Sequence, residues 1–179
     1  MKRRAVLTAV AGILALSGCS SDSGQKSLKF GEQATVAGSK SGTVGVTVVR
    51  VEKGSNADLA HLTNPSKYSG KTPYYLHYQL TKTAEGNGDD ETTHFAVSKN
   101  GKKFTELIIL PSLEPTGDPA NPLTTGHFDK CTGASHTRYK AAAQGQSVEG
   151  CAVFVAADET GAPSTIEWTG HNKALATWE

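Results

Sequence analysis

The nine residues Thr43 to Val51, TVGVTVVRV, decide the fold class of this chain. Every second residue from Val44 to Val48 is valine, so an extended strand places these side chains on one face. Val49 and Val51 then shift the phase of the alternation, as a β-bulge does. The stretch therefore predicts a bulged β-strand with one buried face.

Further short runs of the same kind follow, separated by glycine, proline and asparagine, and no window has a sustained helical period. The run YYLHYQL spans Tyr74 to Leu80. It places Leu76, Tyr78 and Leu80 on one face and Tyr75, His77 and Gln79 on the other. This pattern predicts a second strand whose two faces have different surroundings.

A hairpin is predicted where Phe95 and Val97 precede the turn Lys99 to Lys102. The Asn-Gly centre of this turn favours type I′ geometry, in which both central residues have positive φ. Phe104 to Leu110 is then expected to form the return strand.

Three other stretches complete the predicted strands: Phe30 to Val36, Val148 to Val155 and Ser164 to Trp168. Four prolines between Pro111 and Pro122 remove backbone donors, which indicates a long surface connection. About seven strands at this spacing predict an all-β, antiparallel β-sandwich, with a small barrel as the alternative.

The N-terminus has the layout of a signal peptide. Lys2, Arg3 and Arg4 precede Ala5 to Leu16, twelve residues in which only Thr8 is polar. As a helix this run would span about 18 Å, short of the ~30 Å hydrocarbon core of a bilayer. We therefore expect residues 1–18 to be a cleaved signal peptide. The paired arginines leave the export route open between the general and the twin-arginine pathway.

The run ends in Leu16-Ser17-Gly18-Cys19, which resembles the bacterial lipobox. The resemblance implies that Cys19 is lipidated and becomes the first residue of the mature protein, whose membrane contact is then the lipid on Cys19. Residues 19–29 read as a flexible, polar tether. Residues 30–179 are predicted to form the β-sandwich domain.

Composition limits the partners of the mature chain. Removal of residues 1–18 from the 179-residue sequence leaves 161 residues, enough for one domain with a substantial core. Lys2, Arg3 and Arg4 leave with the signal, so the formal net charge falls from +1 to −2. This balance gives no support to nucleic-acid binding.

With Cys19 lipidated, Cys131 and Cys151 remain as a pair in an exported protein. An even number of cysteines in an oxidising compartment predicts a disulfide between them.

Several segments together are similar to an immunoglobulin-like domain of unknown function found in Gram-positive surface lipoproteins. They are FGEQATV, TVGVTVVRV, YYLHYQL, SKNGKKF and AQGQSVEGCAVFVAADETGAPSTIEW, between Phe30 and Trp168. The resemblance implies an immunoglobulin-like sandwich on the outer face of the cell membrane. It transfers no active site, because these motifs are turns and strands. The chain departs from the family pattern at Gln144, where a proline is usual, and in the long stretch Lys53 to Thr72.

One cluster carries donors suited to zinc or copper: His127, Asp129 and His136, close to Cys131. A disulfide would remove Cys131 as a thiolate ligand, and the spacing matches no named zinc motif. We expect no cofactor, and keep a metal-handling or hydrolytic lipoprotein as the alternative function.

The sequence contains no Gly-x-Ser-x-Gly elbow, and we expect no enzymatic activity.

Tyr68, Tyr74 and Tyr75 form an aromatic group that could line a binding surface, since tyrosine combines a rigid apolar ring with a polar tip. The connections Lys53 to Thr72 and Pro111 to Pro122 are where a sandwich would carry recognition. The sequence therefore favours a membrane-anchored, non-catalytic binding module for an envelope protein or a small ligand.

Overall fold

Most of the regular structure in the part of the chain that the structure describes is β-strand. The computed structural model describes residues 27–37, 42–62, 64–83, 95–109, 113–125, 128–134, 136–156, 161–170 and 173–179. The strands in these ranges are β1 (Ser27–Leu28), β2 (Gln33–Ala37), β3 (Thr43–Lys53), β4 (Pro73–Lys82), β5 (Phe95–Lys99), β6 (Lys102–Lys103), β7 (Thr105–Leu107), β8 (Leu113–Asp118), β9 (Asn121–Thr125), β10 (Ser147–Val155), β11 (Thr165–Gly170) and β12 (Lys173–Trp178). They are accompanied by helix α1 (His136–Ala141) and two 3-10 helices, Asn56–His61 and Pro65–Tyr68.

Ten of these strands form two five-stranded sheets. The first sheet has the order β1-β12-β11-β5-β6 and the second β2-β3-β4-β10-β7, while β8 and β9 form a separate ribbon. The main core lies between the two sheets, where Val48, Ile166 and Trp178 are fully buried. The prediction of an all-β sandwich is confirmed, with more strands than the seven expected.

Strand β3 behaves as its sequence predicts. Val44, Val46 and Val48 are fully buried in the core between the sheets. The register with β4 shifts between Val48 and Arg50, and Val49 turns to the surface with 37% of its area exposed. The bulge therefore ends the buried valine stripe and changes which side chains face outward beyond it.

Strand β4 is the central strand of the second sheet and has two different faces. Leu76, Tyr78 and Leu80 belong to the core between the sheets, whereas Tyr75 belongs to a separate apolar cluster on the outer face. The predicted division of this strand is confirmed.

The Asn-Gly hairpin is also confirmed. Asn100 and Gly101 have φ values of 50° and 77°, the two positive values that a type I′ turn requires.

The predicted return strand after this hairpin is wrong in its extent. Lys102–Lys103 pair with β5, but Thr105–Leu107 pair with β10 in the second sheet. Phe104 is buried at the crossing, with its ring centroid 5.5 Å from that of Tyr74 in an edge-on contact. Burial of this phenylalanine in the core draws the chain from one sheet to the other, which strand periodicity alone does not reveal.

From Pro115 to Pro122 the chain is exposed, as the predicted surface connection requires, but it is more regular than its prolines predict, and Pro111 lies outside the described residues. Strands β8 and β9 form an antiparallel ribbon here, with an irregularity in register between Pro115 and Asp118. Each strand of a two-stranded ribbon has one edge without a partner strand, so a proline that lacks a donor is tolerated there.

The two ends of the domain are joined. Ser27 and Leu28 pair in parallel with Thr177 and Trp178, and the N–H of Glu179 donates to the carbonyl of Leu28 at 3.0 Å. Strand β1 therefore lies inside the stretch predicted as tether, and β12 was not predicted at all.

The first long strand begins later than predicted. Phe30 is 40% exposed and lies in a turn, and β2 begins at Gln33. The indole N–H of Trp178 donates to the carbonyl of Glu32 at 2.9 Å, just before this strand. The C-terminal strand thereby fixes the point at which the chain passes from the first sheet to the second.

Candidate functional site

The outer face of the second sheet carries polar side chains from three neighbouring strands. The register places Arg50 and Cys151 directly beside His77 on either side of β4. The next row along the strands contains Glu52 and Tyr75. Because alternate residues of a strand share a face, the bulge in β3 is what brings Arg50 and Glu52 to this surface.

Arg50, Glu52 and His77 form one polar cluster. The Arg50 Nη2 and Glu52 Oε2 atoms lie 3.4 Å from His77 Nε2, and 3.7 Å from each other. A neutral imidazole accepts from Arg50 through Nε2, and a protonated one donates to Glu52. Partial burial, followed by the charge of Arg50, lowers the pKa of His77, so the neutral form dominates at neutral pH.

Cys131 and Cys151 are joined in a disulfide, as predicted, with their Cα atoms 5.2 Å apart. Cys151 packs on the outer face with Tyr75 and Val153. The bond therefore holds the loop that carries Cys131 against the middle of β10.

The loop that carries Cys131 passes around the edge of β10. The backbone N–H of Cys151 donates to the carbonyl of Thr132 at 2.9 Å, and the N–H of Ala134 donates to the hydroxyl of Tyr78 at 3.1 Å. Tyr78 belongs to the core between the sheets, so the loop runs from the outer face to the inner one. This path places the loop and α1 beside the polar cluster.

A hollow of about 250 Å³ lies beside the disulfide. Its lining includes four titratable residues from four separate elements of the chain: His77, Lys130, Arg138 and Glu149. The disulfide forms an apolar wall. Glu149 also accepts from the side-chain amide of Gln79 at 3.5 Å. The hollow thus combines two cationic groups, one carboxylate and a neutral imidazole.

Gly150 leaves room for the aromatic ring beneath this hollow. A Cβ on Gly150 would lie 2.4 Å from Tyr78 Cζ and 2.5 Å from its hydroxyl oxygen. The Tyr78 ring is buried and cannot move aside, so a side chain at this position would overpack the core. The glycine is therefore required for the close approach of β10 to this ring.

A second hollow adjoins the first at Arg138, which lines both. It has a volume of about 430 Å³ and is bounded by Ala141, Ala142 and Val148, with Gln146 and Ser147 at its polar side. The two hollows therefore offer a charged compartment and a less polar one that share Arg138.

The long connection between β3 and β4 is an ordered cap over one end of the sheet. Ser55 caps the first 3-10 helix, and Asp58 Oδ2 accepts from the N–H of Ser55 at 2.9 Å. The side-chain amide of Asn56 donates at 2.7 Å to the carbonyls of both Tyr68 and Lys71. These bonds join the two 3-10 helices into one unit.

Tyr75 connects this cap to the sheet. Its hydroxyl donates to Asp58 Oδ2 at 2.8 Å. The hydrogen bond from the backbone at Ser55, followed by the one from Tyr75, holds the pKa of Asp58 below its usual value of 3.8. Burial and the neighbouring carboxylate raise the pKa of Tyr75. Both shifts favour a neutral phenol that donates to a charged carboxylate.

We expect Tyr75→Phe to lower the free energy of unfolding by about 1 kcal/mol at neutral pH, because it removes one charge-assisted hydrogen bond. The pKa of Asp58 is lowered on folding, so its stabilising contribution is present above pH 3.8 and is lost as the pH falls through the folded value. The difference in the free energy of unfolding between the wild type and the variant, measured by urea titration, should therefore become smaller in acid. The control Tyr68→Phe should change stability by less than about 0.5 kcal/mol. An equal deficit at pH 3 and pH 7 would contradict this assignment.

The three predicted binding tyrosines do not form one exposed surface. Tyr74 and Tyr75 are each only 3% exposed and lie on opposite faces of β4, one against Phe104 and the other near Phe128. Tyr68 is partly buried in the second 3-10 helix. Adjacent residues of a strand point to opposite faces, so Tyr74 and Tyr75 cannot share one surface. Both rings are buried, and they contribute packing contacts and, for Tyr75, a hydrogen bond to Asp58.

The predicted alternative metal ligands are only partly covered by the structure. His136 begins α1 and Asp129 lies in an exposed turn, while His127 lies outside the described residues. Within the described ranges, no group of three or more His, Cys, Asp or Glu residues is arranged to hold a metal ion. Cys131 is bonded to Cys151, so its sulfur is not available as a thiolate. The metal site stays a prediction.

The residues that line the charged hollow could not be identified from the sequence pattern. His77 and Glu149 share the outer face only through the pairing of β4 with β10, and Lys130 and Arg138 join them through the disulfide-bonded loop and α1. The one available signal was the outward position of His77 in its alternating strand. Strands β4 and β10 are about 70 residues apart in sequence, so the neighbours of His77 on β10 can be identified only when the register between the two strands is known.

Cys19, the predicted lipidation site, lies outside the described residues. In the part of the chain that the structure describes, no helix is long and apolar enough to cross a bilayer.

No protein-family model matches this chain, and neither a curated protein nor a solved structure is significantly similar to it.

Proposed function

We propose that this chain is an extracytoplasmic lipoprotein, held on the outer face of the cell membrane by a lipid on Cys19, that acts as a non-catalytic binding module. The observation that carries the proposal is the Cys131–Cys151 disulfide, which suits an oxidising compartment and also builds the wall of a charged hollow.

The N-terminal sequence supports the anchored location. A basic start, a short apolar run and Leu16-Ser17-Gly18-Cys19 are together the layout of a lipoprotein signal. Acyl chains on one cysteine bury about 0.8 kcal/mol per CH₂ group, so two chains suffice for stable anchoring.

The distance between anchor and domain is limited. Eight residue steps separate Cys19 from Ser27, where β1 begins. At about 3.3–3.6 Å per residue, even a fully extended segment spans less than ~30 Å. Such an anchor keeps the domain close to the membrane surface, where it would meet small ligands or other envelope proteins.

The binding role is supported by the second sheet. Charged residues from β10, α1 and the disulfide-bonded loop converge with the imidazole of His77 from β4 on one concave surface. Concave surfaces with a few convergent polar groups are the usual form of ligand sites. The rigid sandwich and the disulfide would hold these groups in place without a ligand.

The proposal predicts that Cys19→Ala moves the protein from the membrane fraction to the soluble fraction, because the variant has no thiol to acylate. Fractionation of cells that express each form, followed by immunoblotting, measures this shift. Labelling with a clickable fatty acid should mark the wild type and not the variant.

Ser20→Ala is the matched control, since it changes the next residue and leaves the thiol in place. It should remain in the membrane fraction and take up the fatty-acid label. Retention of Cys19→Ala in the membrane at the wild-type level would reject the lipid anchor.

A further inference from the structure

We infer that the two adjoining hollows on the second sheet bind a free α-amino acid with an apolar side chain. This inference rests on the proposed binding function and names the class of ligand. Lys130 and Arg138 hold the carboxylate, Glu149 receives the ammonium group, and the side chain enters the hollow beyond Arg138.

The carboxylate position follows from the cationic lining. Lys130 and Arg138 line the same hollow of about 250 Å³. A guanidinium offers five N–H donors in a fixed plane, so Arg138 can hold a carboxylate in a two-pronged arrangement and keep a further interaction within the protein. Lys130, which precedes Cys131 in the loop, adds a second positive charge to the same hollow.

The ammonium position follows from Glu149. This carboxylate is exposed, lines the same hollow, and accepts a long hydrogen bond of 3.5 Å from the side-chain amide of Gln79. An ammonium group beside it would gain a charge-assisted hydrogen bond. A ligand with one negative and one positive group therefore satisfies both sides of the hollow, which a simple anion does not.

The size of the hollows argues for a single residue. About 250 Å³ is below the volume of most sites for drug-sized ligands, so the charged hollow suits a ligand as small as one amino acid. The adjoining hollow, bounded by Ala141, Ala142 and Val148, offers apolar contact to a side chain. Arg138 lines both hollows, so a ligand whose carboxylate it holds in the first can extend its side chain into the second.

Isothermal titration calorimetry of the full-length protein in detergent micelles tests this assignment, with leucine as the probe. Leucine should bind saturably, and more tightly than glycine, whose side chain cannot fill the second hollow. N-acetyl-leucine lacks the ammonium group and leucinamide lacks the carboxylate, so each should bind about tenfold or more weakly.

Arg138→Gln and Glu149→Gln should each weaken leucine binding by about tenfold or more. Lys140→Gln, on the same helix, and Glu167→Gln, in the other sheet, are charge-matched controls that line neither hollow and should bind as the wild type does. Lys130→Gln, in an exposed turn, gives a second test of the carboxylate position if Arg138→Gln fails to fold. Melting temperatures verify that each variant is folded.

The inference is overturned if leucine gives no saturable heat at millimolar concentration, if N-acetyl-leucine or leucinamide binds as tightly as leucine, or if Lys140→Gln weakens binding as much as Arg138→Gln. Failure here and failure of the proposed anchoring are distinguishable. The titration reports the ligand, whereas fractionation of Cys19→Ala reports the location.

Discussion

Trp178→Ala should lower the free energy of unfolding by about 3–5 kcal/mol, the range for truncation of a large buried aromatic side chain. Trp178 is fully buried between the sheets, and it joins the two ends of the domain by pairing with Leu28. Truncation leaves a cavity in the core and removes the donor to the Glu32 carbonyl. Urea unfolding followed by far-ultraviolet circular dichroism measures the loss.

The matched control for this variant is Leu175→Ala, on the same strand. Leu175 is 38% exposed, so Leu175→Ala should lower the free energy of unfolding by well under half as much as Trp178→Ala does. Trp178→Phe keeps a ring and removes the N–H, so its loss in the free energy of unfolding should lie between those of the two alanine variants. It should also remain folded if Trp178→Ala does not. Equal losses for Trp178→Ala and Leu175→Ala would contradict the central role of this residue.

Removal of the disulfide is the second change with a large expected effect. In the Cys131→Ala/Cys151→Ala double variant the free energy of unfolding should fall by about 3 kcal/mol, because the cross-link closes a segment with a sequence separation of 20 residues. The β spectrum should be retained, since the core between the two sheets does not include either cysteine. Thermal unfolding of the double variant and the wild type measures the difference.

A reducing agent supplies the internal control for this experiment. Full reduction should lower the melting temperature of the wild type and leave that of the double variant unchanged. If mass spectrometry shows the wild type to be reduced while its melting temperature stays constant, the disulfide does not stabilise the domain. Loss of the β spectrum in the double variant would instead show that the bond is needed for folding.

The two central strands of the second sheet could be predicted from the sequence because their signals are local. The valines of β3 and the alternation of β4 each report one buried face, and burial of every second residue is a property of one strand alone. The Asn100-Gly101 turn was equally readable, since positive φ at two adjacent residues strongly restricts the residue types.

Strands with weak local sequence signals could not be predicted. Ser27–Leu28 and Lys173–Trp178 pair with each other across the full length of the domain, and neither has the strict alternation of a half-buried strand. The prolines of β8 and β9 argued against strands, yet a two-stranded ribbon has free edges that accept them. In each case the partner, and not the strand itself, determined the structure.

The sequence by itself determined the fold class, the bulge in β3 and the cysteine pair, because hydrophobic period, turn chemistry and cysteine number act over short stretches or by simple count. Only the tertiary structure decided that Tyr74 and Tyr75 are buried on opposite faces, and that His77, Lys130, Arg138 and Glu149 line one hollow. The register between β4 and β10 and the path of the disulfide-bonded loop bring these four together. Register depends on the packing of all neighbouring strands at once, so no single segment of the sequence contains it.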